Sequence, residues 1–299
     1  MSTGAKSAQN LRQRRQTDLL GWFEHRQRDL PWRRTRDPWA VLVSELMLQQ
    51  TQVARVLPRF EEFLGRWPTP SACAAAPLGD IVTAWAGLGY NRRAVNLHRC
   101  AVEVTDHHDG ELPTDLTGLL SLPGIGPYTA RAVLAFAHEA DVGVLDTNAA
   151  RVLARWAGHP LRPREAQDEA DAAVPTGQGW AWNQAMLDLG ATTCRARTPT
   201  CEDCPVAVDC TWHAAGHPSP DPAIGSAGVS GGQSRFDGSD RQGRGRLVDA
   251  LRSGPVAESD VAQLAGWPDD PERAARVAAT LVADGLATVD VGGTLHLPS

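Results

Sequence analysis

Apolar positions recur every three and four residues along most of the chain. Val53, Val56, Leu57, Phe60, Phe63 and Leu64 fall on one face of a helical projection and predict an amphipathic helix, with Pro58 as a kink or cap. Similar faces run over Ile81 to Trp85, Val95 to Val104, Ala130 to Ala137 and Ala149 to Trp156, and no strand pattern precedes residue 215. Residues 216–240, "GHPSPDPAIGSAGVSGGQSRFDGSD", are rich in Gly, Pro and Ser and predict a flexible linker. Beyond it the texture changes. "GRLVDALRSG", "AESDVAQLAGW" and "PERAARVAATLVADG" predict three short helices, and "LATVDVGGTLHL" predicts a hairpin turning at Gly292 and Gly293. The fold class is therefore mainly α, with a small winged-helix-like α+β domain over residues 241–299.

Composition narrows the setting. The 299 residues suffice for one large domain or two to three small ones. The N-terminal "MSTGAKSAQNLRQRRQ" lacks the apolar run of a signal peptide, and no stretch reaches the length of a membrane span, so a soluble cytoplasmic protein is expected. A net charge of −6 argues against indiscriminate nucleic-acid binding. A local basic face has a candidate in residues 1–40, where Lys6 and eight arginines face four acids, although a solvated N-terminus gives the same count. Lys6 is the only lysine in the chain. Over 211–299, eleven acids against seven basic residues predict a C-terminal surface that is a poor phosphate binder overall, suited to packing or protein contact, with DNA contact by the wing as the sharper alternative.

"SLPGIGPYTARAV", residues 121–133, resembles a phosphate-holding loop. A Walker loop requires Gly-Lys-Ser/Thr, and a dinucleotide fingerprint requires a third glycine and a preceding strand; "DLTGLLSL" predicts helix instead. What remains is a helix, a tight turn through Gly124 and Gly126, and a second helix. The start of a helix offers backbone donors and a positive dipole end, so such a hairpin can hold a DNA phosphate without side-chain charge. An ordinary helical corner has the same residues.

A second constellation is "CRARTPTCEDCPVAVDC". Cys194, Cys201, Cys204 and Cys210 are separated by six, two and five residues. In a cytosolic chain this density marks a metal site more often than disulfides, and four thiolates on so short a loop surround one centre, zinc or iron–sulfur. Cys73 and Cys100 lie in apolar helical surroundings and read as packing residues.

The hairpin "LPGIGPYTA", the aspartate about twenty residues later in "VLDTNAARVL", and the six-two-five cysteine loop together resemble the helix-hairpin-helix, endonuclease III-like DNA glycosylases with a [4Fe-4S] cluster. The resemblance spans roughly residues 20–215. "LPWRRTRDPWAVLVSELMLQQTQV" and "GLGYNRRA" are similar to the MutY-type adenine glycosylases within that superfamily, which remove adenine mispaired with 8-oxoguanine or guanine. It implies a two-lobed fold: an iron–sulfur lobe from residues 1–31 and 140–215, a six-helix lobe over 32–139 carrying the hairpin, the linker, and the winged-helix-like domain. It implies one [4Fe-4S] cluster on the four cysteines, admits a monovalent cation at the hairpin, and makes the partner double-stranded DNA bearing A·8-oxoguanine or A·G mispairs, bound by a nucleoid-associated monomer.

Adenine is a poor leaving group, so hydrolysis needs an acid to protonate the base and a negative charge beside the oxocarbenium-like sugar. Glu45 is a lone acid in the apolar run "VLVSELML", where burial would raise its pKa and keep it protonated; a solvent-facing glutamate fits the same letters. The resemblance makes it the acid at adenine N7. Asp146 precedes the helix "NAARVLARW" and reads as an N-cap whose hydrogen bonds keep it ionised. By resemblance it stabilises the cation, with Tyr128 and Asn148 orienting it. Endonuclease III relatives carry a lysine where this chain has Tyr128, so a monofunctional enzyme that leaves an abasic site is implied.

Base flipping requires wedging residues. By resemblance these are Gln50 and Tyr90, with Gln49 beside them for adenine or backbone contacts; Leu122, Gly124 and Gly126 at the hairpin and Arg195 and Arg197 on the cysteine loop are the expected contacts to the DNA backbone. Two departures stand out. The C-terminal residues are too few for the Nudix-like domain of many MutY-type enzymes, and the usual Asp-Gly-Asn is Asp146-Thr147-Asn148, which requires an ordinary backbone at Thr147. The rival readings are a mismatch thymine or uracil glycosylase of the same superfamily, a DNA-binding module without catalysis, and a zinc-loop regulator.

Overall fold

The computed structural model describes residues 3–229 and 235–299, with side chains from residue 9 onward. Along the described residues run α1 (Thr3–Arg26), α2 (Pro38–Leu48), α3 (Val53–Arg66), α4 (Pro70–Ala74), α5 (Leu78–Ala84), α6 (Arg92–His107), α7 (Leu116–Ser121), α8 (Pro127–Ala137), α9 (Thr147–Ala157), α10 (Pro163–Ala173), α11 (Gly179–Asp188), α12 (Thr211–Ala214), α13 (Asp240–Ser253), α14 (Val261–Ala265) and α15 (Pro271–Ala283). Strands β1 (Thr288–Val289) and β2 (Leu295–His296) close the chain. The only lysine, Lys6, lies on α1, and its side chain is outside the described residues.

Two compact units form. The first combines Met1–Pro38, Thr114–Leu116 and Gly126–Gly232. Its core joins Leu19 and Phe23 of α1 to Val152 and Trp156 of α9, Trp182 and Met186 of α11, and Val206 and Trp212 around the cysteine loop. The segment that follows α1 is tied down by charge. Asp188, 0% exposed, accepts two hydrogen bonds of 2.8 Å from Arg33 and one of 2.6 Å from Arg28. Desolvation alone would raise its pKa, but the Arg33 hydrogen bonds and the charges of both arginines outweigh it and hold the carboxyl below its ordinary range. Asp188→Asn should cost about 3–5 kcal/mol, because Arg33 would be left buried without its counter-charge. The depressed pKa sets the sign: the stabilisation is present above the ordinary aspartate range and is lost as pH falls through the folded value. Urea titrations of the two proteins should differ fully near neutrality and converge in strong acid.

Pairs of this kind also engage several of the N-terminal cations expected to form a basic face. Arg14 and Arg15 bond Asp209 and its carbonyl, Arg34 pairs with Asp29, and Arg36 with Glu139.

The second unit combines Trp39–Pro113, Thr117–Ile125 and Gln233–Ser299. Within α3 the predicted face is buried through Val56, Phe60 and Phe63, and the helix runs through Pro58, which neither caps nor ends it. Phe63 packs edge-on against Trp85, and the Trp39 indole donates to the Trp67 carbonyl at 3.0 Å. Seven of the ten tryptophans are buried across the chain, as core residues should be. Cys73 and Cys100 are also fully buried, and burial pushes both thiols up to about 12, which makes them inert packing groups.

The C-terminal residues have the predicted helix order and hairpin. Val289 pairs with Leu295, Asp290 Oδ1 accepts from Gly292 and Thr294 N–H, Gly293 takes φ +81°, and Val256 bridges to Leu295 as a third short partner. Arg252 donates to the Val82 carbonyl and Asn91 Oδ1, Gly79 N–H donates to the Pro298 carbonyl, and Arg92 meets Asp284, so α13 and α15 join α2–α6 in one unit.

The domain limits differ from the sequence expectation at two further places. Helix α8 joins the cysteine-loop unit, where Arg131 pairs with Asp171 at 2.5 Å. The stretch expected as a flexible linker over 216–240 is bonded down through residue 229. Asp221 pairs with the buried Arg155 at 2.6 Å, Ser226 Oγ accepts from Leu161 N–H, and Ala227 N–H donates to the Leu161 carbonyl. Residues 230–234 of that stretch lie outside the described residues.

Candidate active site and cysteine loop

Helix α2 carries Glu45. Every residue from Trp39 to Met47 is buried, so the helix is apolar all round except for Ser44 and this acid, which is 4% exposed. The solvent-facing alternative for Glu45 is thereby removed. The helix ends in Gln49 and Gln50, and Gln50 takes φ +54°, a left-handed conformation uncommon outside glycine. Tyr90, reached through Gly87 and Gly89 at φ +82° and +69°, is left-handed too, at φ +46° and 39% exposed. Non-glycine residues persist in this region only where the surroundings over-determine them, and such sites cluster where function needs a fixed projection.

The over-determining group is Arg93, which sequence reading passed over within "GLGYNRRA". Its guanidinium is buried and donates to the carbonyls of Leu46, Met47 and Gln49 at 2.6, 2.9 and 2.6 Å, and to those of Leu88 and Gly89 at 3.2 and 2.9 Å. It also donates to Thr51 Oγ1 and the Tyr90 carbonyl. A cation thus closes the C-terminal end of α2, where unpaired carbonyls and the negative dipole end favour it, and pins the Tyr90 loop to the Gln49–Gln50 turn. Burial pulls its pKa down to about 10, still charged at neutrality, with Tyr90 acting in the opposite direction.

Asp146 caps α9 as predicted. Its Oδ1 accepts from Ala149 N–H at 2.7 Å and its Oδ2 from Asn148 Nδ2 at 2.9 Å. Thr147 opens the helix with an ordinary backbone, and its hydroxyl donates to the Gly228 carbonyl. Arg151 holds Asn148 Oδ1 at 2.8 Å while donating to the carbonyls of Gly190 and Cys194, which links the aspartate to the cysteine loop. Gly190 lies in a π-helical turn, and a Cβ there would meet Asn148 Cβ at 2.5 Å, so only glycine fits. The proton affinity of Asp146 is set by opposing effects. The side chain keeps partial exposure, yet desolvation outweighs the bonds from Ala149 and Asn148 and raises its pKa above the ordinary value.

At the hairpin, Leu122 is buried and the two glycines differ in kind. Gly124 takes φ +77°, and a Cβ on it would strike Asn96 at 2.5 Å, so its identity is set internally. Gly126 N-caps α8 with extended backbone open to any residue, and nothing lies within 4 Å of a Cβ built there. Tyr128, half-buried, stands in the first turn of α8.

Cys194, Cys201, Cys204 and Cys210 line one small cavity of about 20 Å³. The donor set suits a metal centre: the four cysteines share this cavity, and Arg155 Nη1 donates to Cys194 Sγ at 3.3 Å. Desolvation, with smaller repulsion among the sulfurs, pushes Cys204 up to about 12, so several thiolates coexist there only with a compensating cation. His213 and His217, which sequence reading missed, extend the donor set, since Cys201, His213 and His217 offer ligand atoms within 4.8 Å of one another. Arg195 and Arg197 are exposed on the same loop.

Asp146 and Asn148 are therefore joined in the first unit, which also holds Tyr128, Gly126, Arg195, Arg197 and the cysteines. Glu45, Gln49, Gln50, Tyr90, Leu122 and Gly124 belong to the second unit, where Gln49, Gln50 and Tyr90 line one cavity.

Comparison with known proteins first defines the class. Residues 43–176 match the HhH-GPD superfamily of base excision DNA repair proteins. A thermostable thymine-DNA glycosylase of known structure superposes with a TM-score of 0.65 and 26% identity, covering 70% of this chain and 99% of that one. An adenine DNA glycosylase of Mycobacterium tuberculosis is 44% identical over 295 residues, spanning 94% of this chain and 93% of the relative. That of Mycolicibacterium smegmatis is 42% identical over 287 residues, with 94% of each covered. The chain belongs to the adenine DNA glycosylase family within this superfamily.

Proposed function

We propose that this protein hydrolyses the N-glycosidic bond of adenine in duplex DNA, where adenine faces 8-oxoguanine or guanine, and leaves an abasic site. The observation that carries the reading is a lone glutamate buried in an otherwise apolar helix, Glu45, in a chain 44% identical over nearly its whole length to an adenine DNA glycosylase. Glu45 protonates the departing base, then accepts the proton of the attacking water. Asp146, aligned by Asn148 and Ala149, faces the sugar as positive charge develops. Its raised pKa means the anion is poorly compensated by the protein, so it gains more from an oxocarbenium neighbour than a well-solvated carboxylate would. Gln50 and Tyr90 fill the space of the flipped nucleotide.

The hairpin meets a phosphate at Gly126, where open space in place of a side chain leaves room for a DNA backbone. Arg195 and Arg197 add phosphate contacts. The cysteines would hold one [4Fe-4S] cluster, whose metal–thiolate bonds fold the loop that carries these arginines. A monovalent cation at the hairpin and action as a monomer at the nucleoid complete the reading. Among the described residues no helix is long and apolar enough to cross a membrane.

Tyr128 offers no amine, so base release should leave the strand intact until alkali is added, and borohydride should trap no covalent adduct. Strand cleavage in step with base release would overturn the monofunctional mechanism. The likeness to a thymine-DNA glycosylase favours a second reading, which the same assay on G·T and G·U duplexes tests.

A further inference from the structure

Residues 85–91 join α5 to α6 and carry Gly87, Gly89 and Tyr90 in left-handed backbone, so the loop needs outside contacts to keep one shape. Arg93 ties it to the end of α2. A second arginine, Arg252 in the last turn of α13, holds both feet of the loop. Its side chain is 9% exposed; Nε and Nη2 donate to the Val82 carbonyl at 3.2 and 2.9 Å, and Nη2 donates also to Asn91 Oδ1 at 3.0 Å. Asp249 pairs with its Nη1 and fixes the fork. Val82 lies in the last turn of α5, where carbonyls and the negative dipole end favour a cation. Asn91 stands at the N-cap of α6, where an asparagine ordinarily accepts from its own helix, yet it makes no such bond and its oxygen goes to Arg252. The residues on either side of Asn91 are engaged by the same segment. The Tyr90 hydroxyl accepts from Arg241 at 3.5 Å, and Arg92 pairs with Asp284, just past α15, at 3.3 Å. At the start of α5, Gly79 N–H donates to the Pro298 carbonyl, and a Cβ on Gly79 would meet that oxygen at 2.7 Å. The C-terminal segment thus frames α5 and the loop that follows it.

We propose that the C-terminal helices serve the reaction as a brace for the Tyr90 loop, with Arg252 as a positioning residue that sets Tyr90 through Val82 and Asn91 before DNA binds. The proposal rests on the DNA glycosylase reading, in which Tyr90 enters the space left by the flipped nucleotide. A loop already held in its bound shape avoids the ordering cost on association, and Arg252 acts without touching DNA. Such a role agrees with the acidic surplus of residues 211–299, because a brace requires no phosphate contact.

The test uses the full chain and a duplex with a non-hydrolysable 2′-fluoro adenosine opposite 8-oxoguanine, with affinity read by anisotropy and folding by thermal melts. Tyr90→Ala should weaken binding about tenfold, the worth of one stacked base. Arg252→Ala should cost most of that factor in the wild-type background, yet less than about twofold beside Tyr90→Ala, because it acts only through that ring. Arg252→Lys keeps the charge at the end of α5 without the fork that reaches both Val82 and Asn91, and should recover part of the loss. Asn91→Ala removes only the acceptor on the loop and no helix cap. It should reproduce the binding loss even where Arg252→Ala unfolds, and the loss should again vanish beside Tyr90→Ala. Losses that multiply with that of Tyr90→Ala overturn the brace, as do folded Arg252→Ala and Asn91→Ala proteins that bind as wild type. Tyr90→Ala with unweakened binding overturns it too, since the ring would then hold nothing. Adenine release from the unmodified duplex is measured in parallel. Wild type that releases none sinks the glycosylase reading and leaves the brace to stand or fall on the binding cycle, whereas wild-type release beside multiplying losses sinks the brace alone.

Discussion

Asp146→Asn is expected to slow single-turnover adenine release by about 10²–10³-fold, the loss typical of removing a group aimed at transition-state charge. The fold should survive. Asparagine retains an oxygen for the Ala149 N–H and loses the bond from Asn148, because its amide nitrogen cannot accept, while the charge that desolvation penalises is removed. The sign of the stability effect follows from the raised pKa. In the wild type a folded carboxyl that binds its proton more tightly than the unfolded one contributes stability fully below the unfolded value, and loses it as pH rises through the folded value. The variant has no such loss, so near neutrality it should melt no lower than wild type, while activity collapses. Wild-type activity needs the anion, so its acidic limb should lie above the pH expected of an ordinary aspartate. A variant that melts well below wild type, or retains near-wild-type release, contradicts the role given to Asp146.

The second large effect is at Arg93. Arg93→Leu should lower the unfolding free energy by about 3–5 kcal/mol, because several charge-assisted bonds vanish and the buried carbonyls of Leu46, Met47 and Leu88 are left without this donor. Arg93→Lys keeps the charge but not the fork that spans the α2 end and the Tyr90 loop, and should recover only part of that loss. The loss is local in origin yet reaches function, since Gln50 and Tyr90 would relax from their left-handed backbones. Denaturant titration gives the first quantity, and weakened duplex binding by folded Arg93→Lys gives the second. Unchanged stability in Arg93→Leu would show that water replaces the arginine without cost.

Much of this was readable from the letters. The period of Val56, Phe60 and Phe63 marked α3, the residues after Leu145 marked a cap at Asp146, and the turn at Gly292–Gly293 marked the C-terminal hairpin. What stayed hidden depends on contacts that periodicity does not encode. The apolar run around Glu45 left its exposure open until the whole circumference of α2 proved buried. Arg93 bonds carbonyls of its own loop but also the distant end of α2 at Leu46, Met47 and Gln49, a reach that nothing in its neighbourhood announced. The strain at Gln50 and Tyr90 falls on residue types that do not signal a left-handed backbone. Composition misread residues 216–229, because Asp221 and Ser226 anchor a Gly/Pro-rich stretch by single well-placed bonds. Capping left the proton affinity of Asp146 open, because hydrogen bonds and desolvation act in opposite directions and only the three-dimensional surroundings decide between them.

The measurement that bears most directly on the central claim is single-turnover release of adenine from duplexes with A opposite 8-oxoguanine, opposite G and opposite T, with Glu45→Gln alongside. Release opposite 8-oxoguanine and guanine, lowered by about 10²–10⁴-fold in Glu45→Gln, is the predicted result. No adenine release from any duplex, or equal release by the variant, would contradict the account.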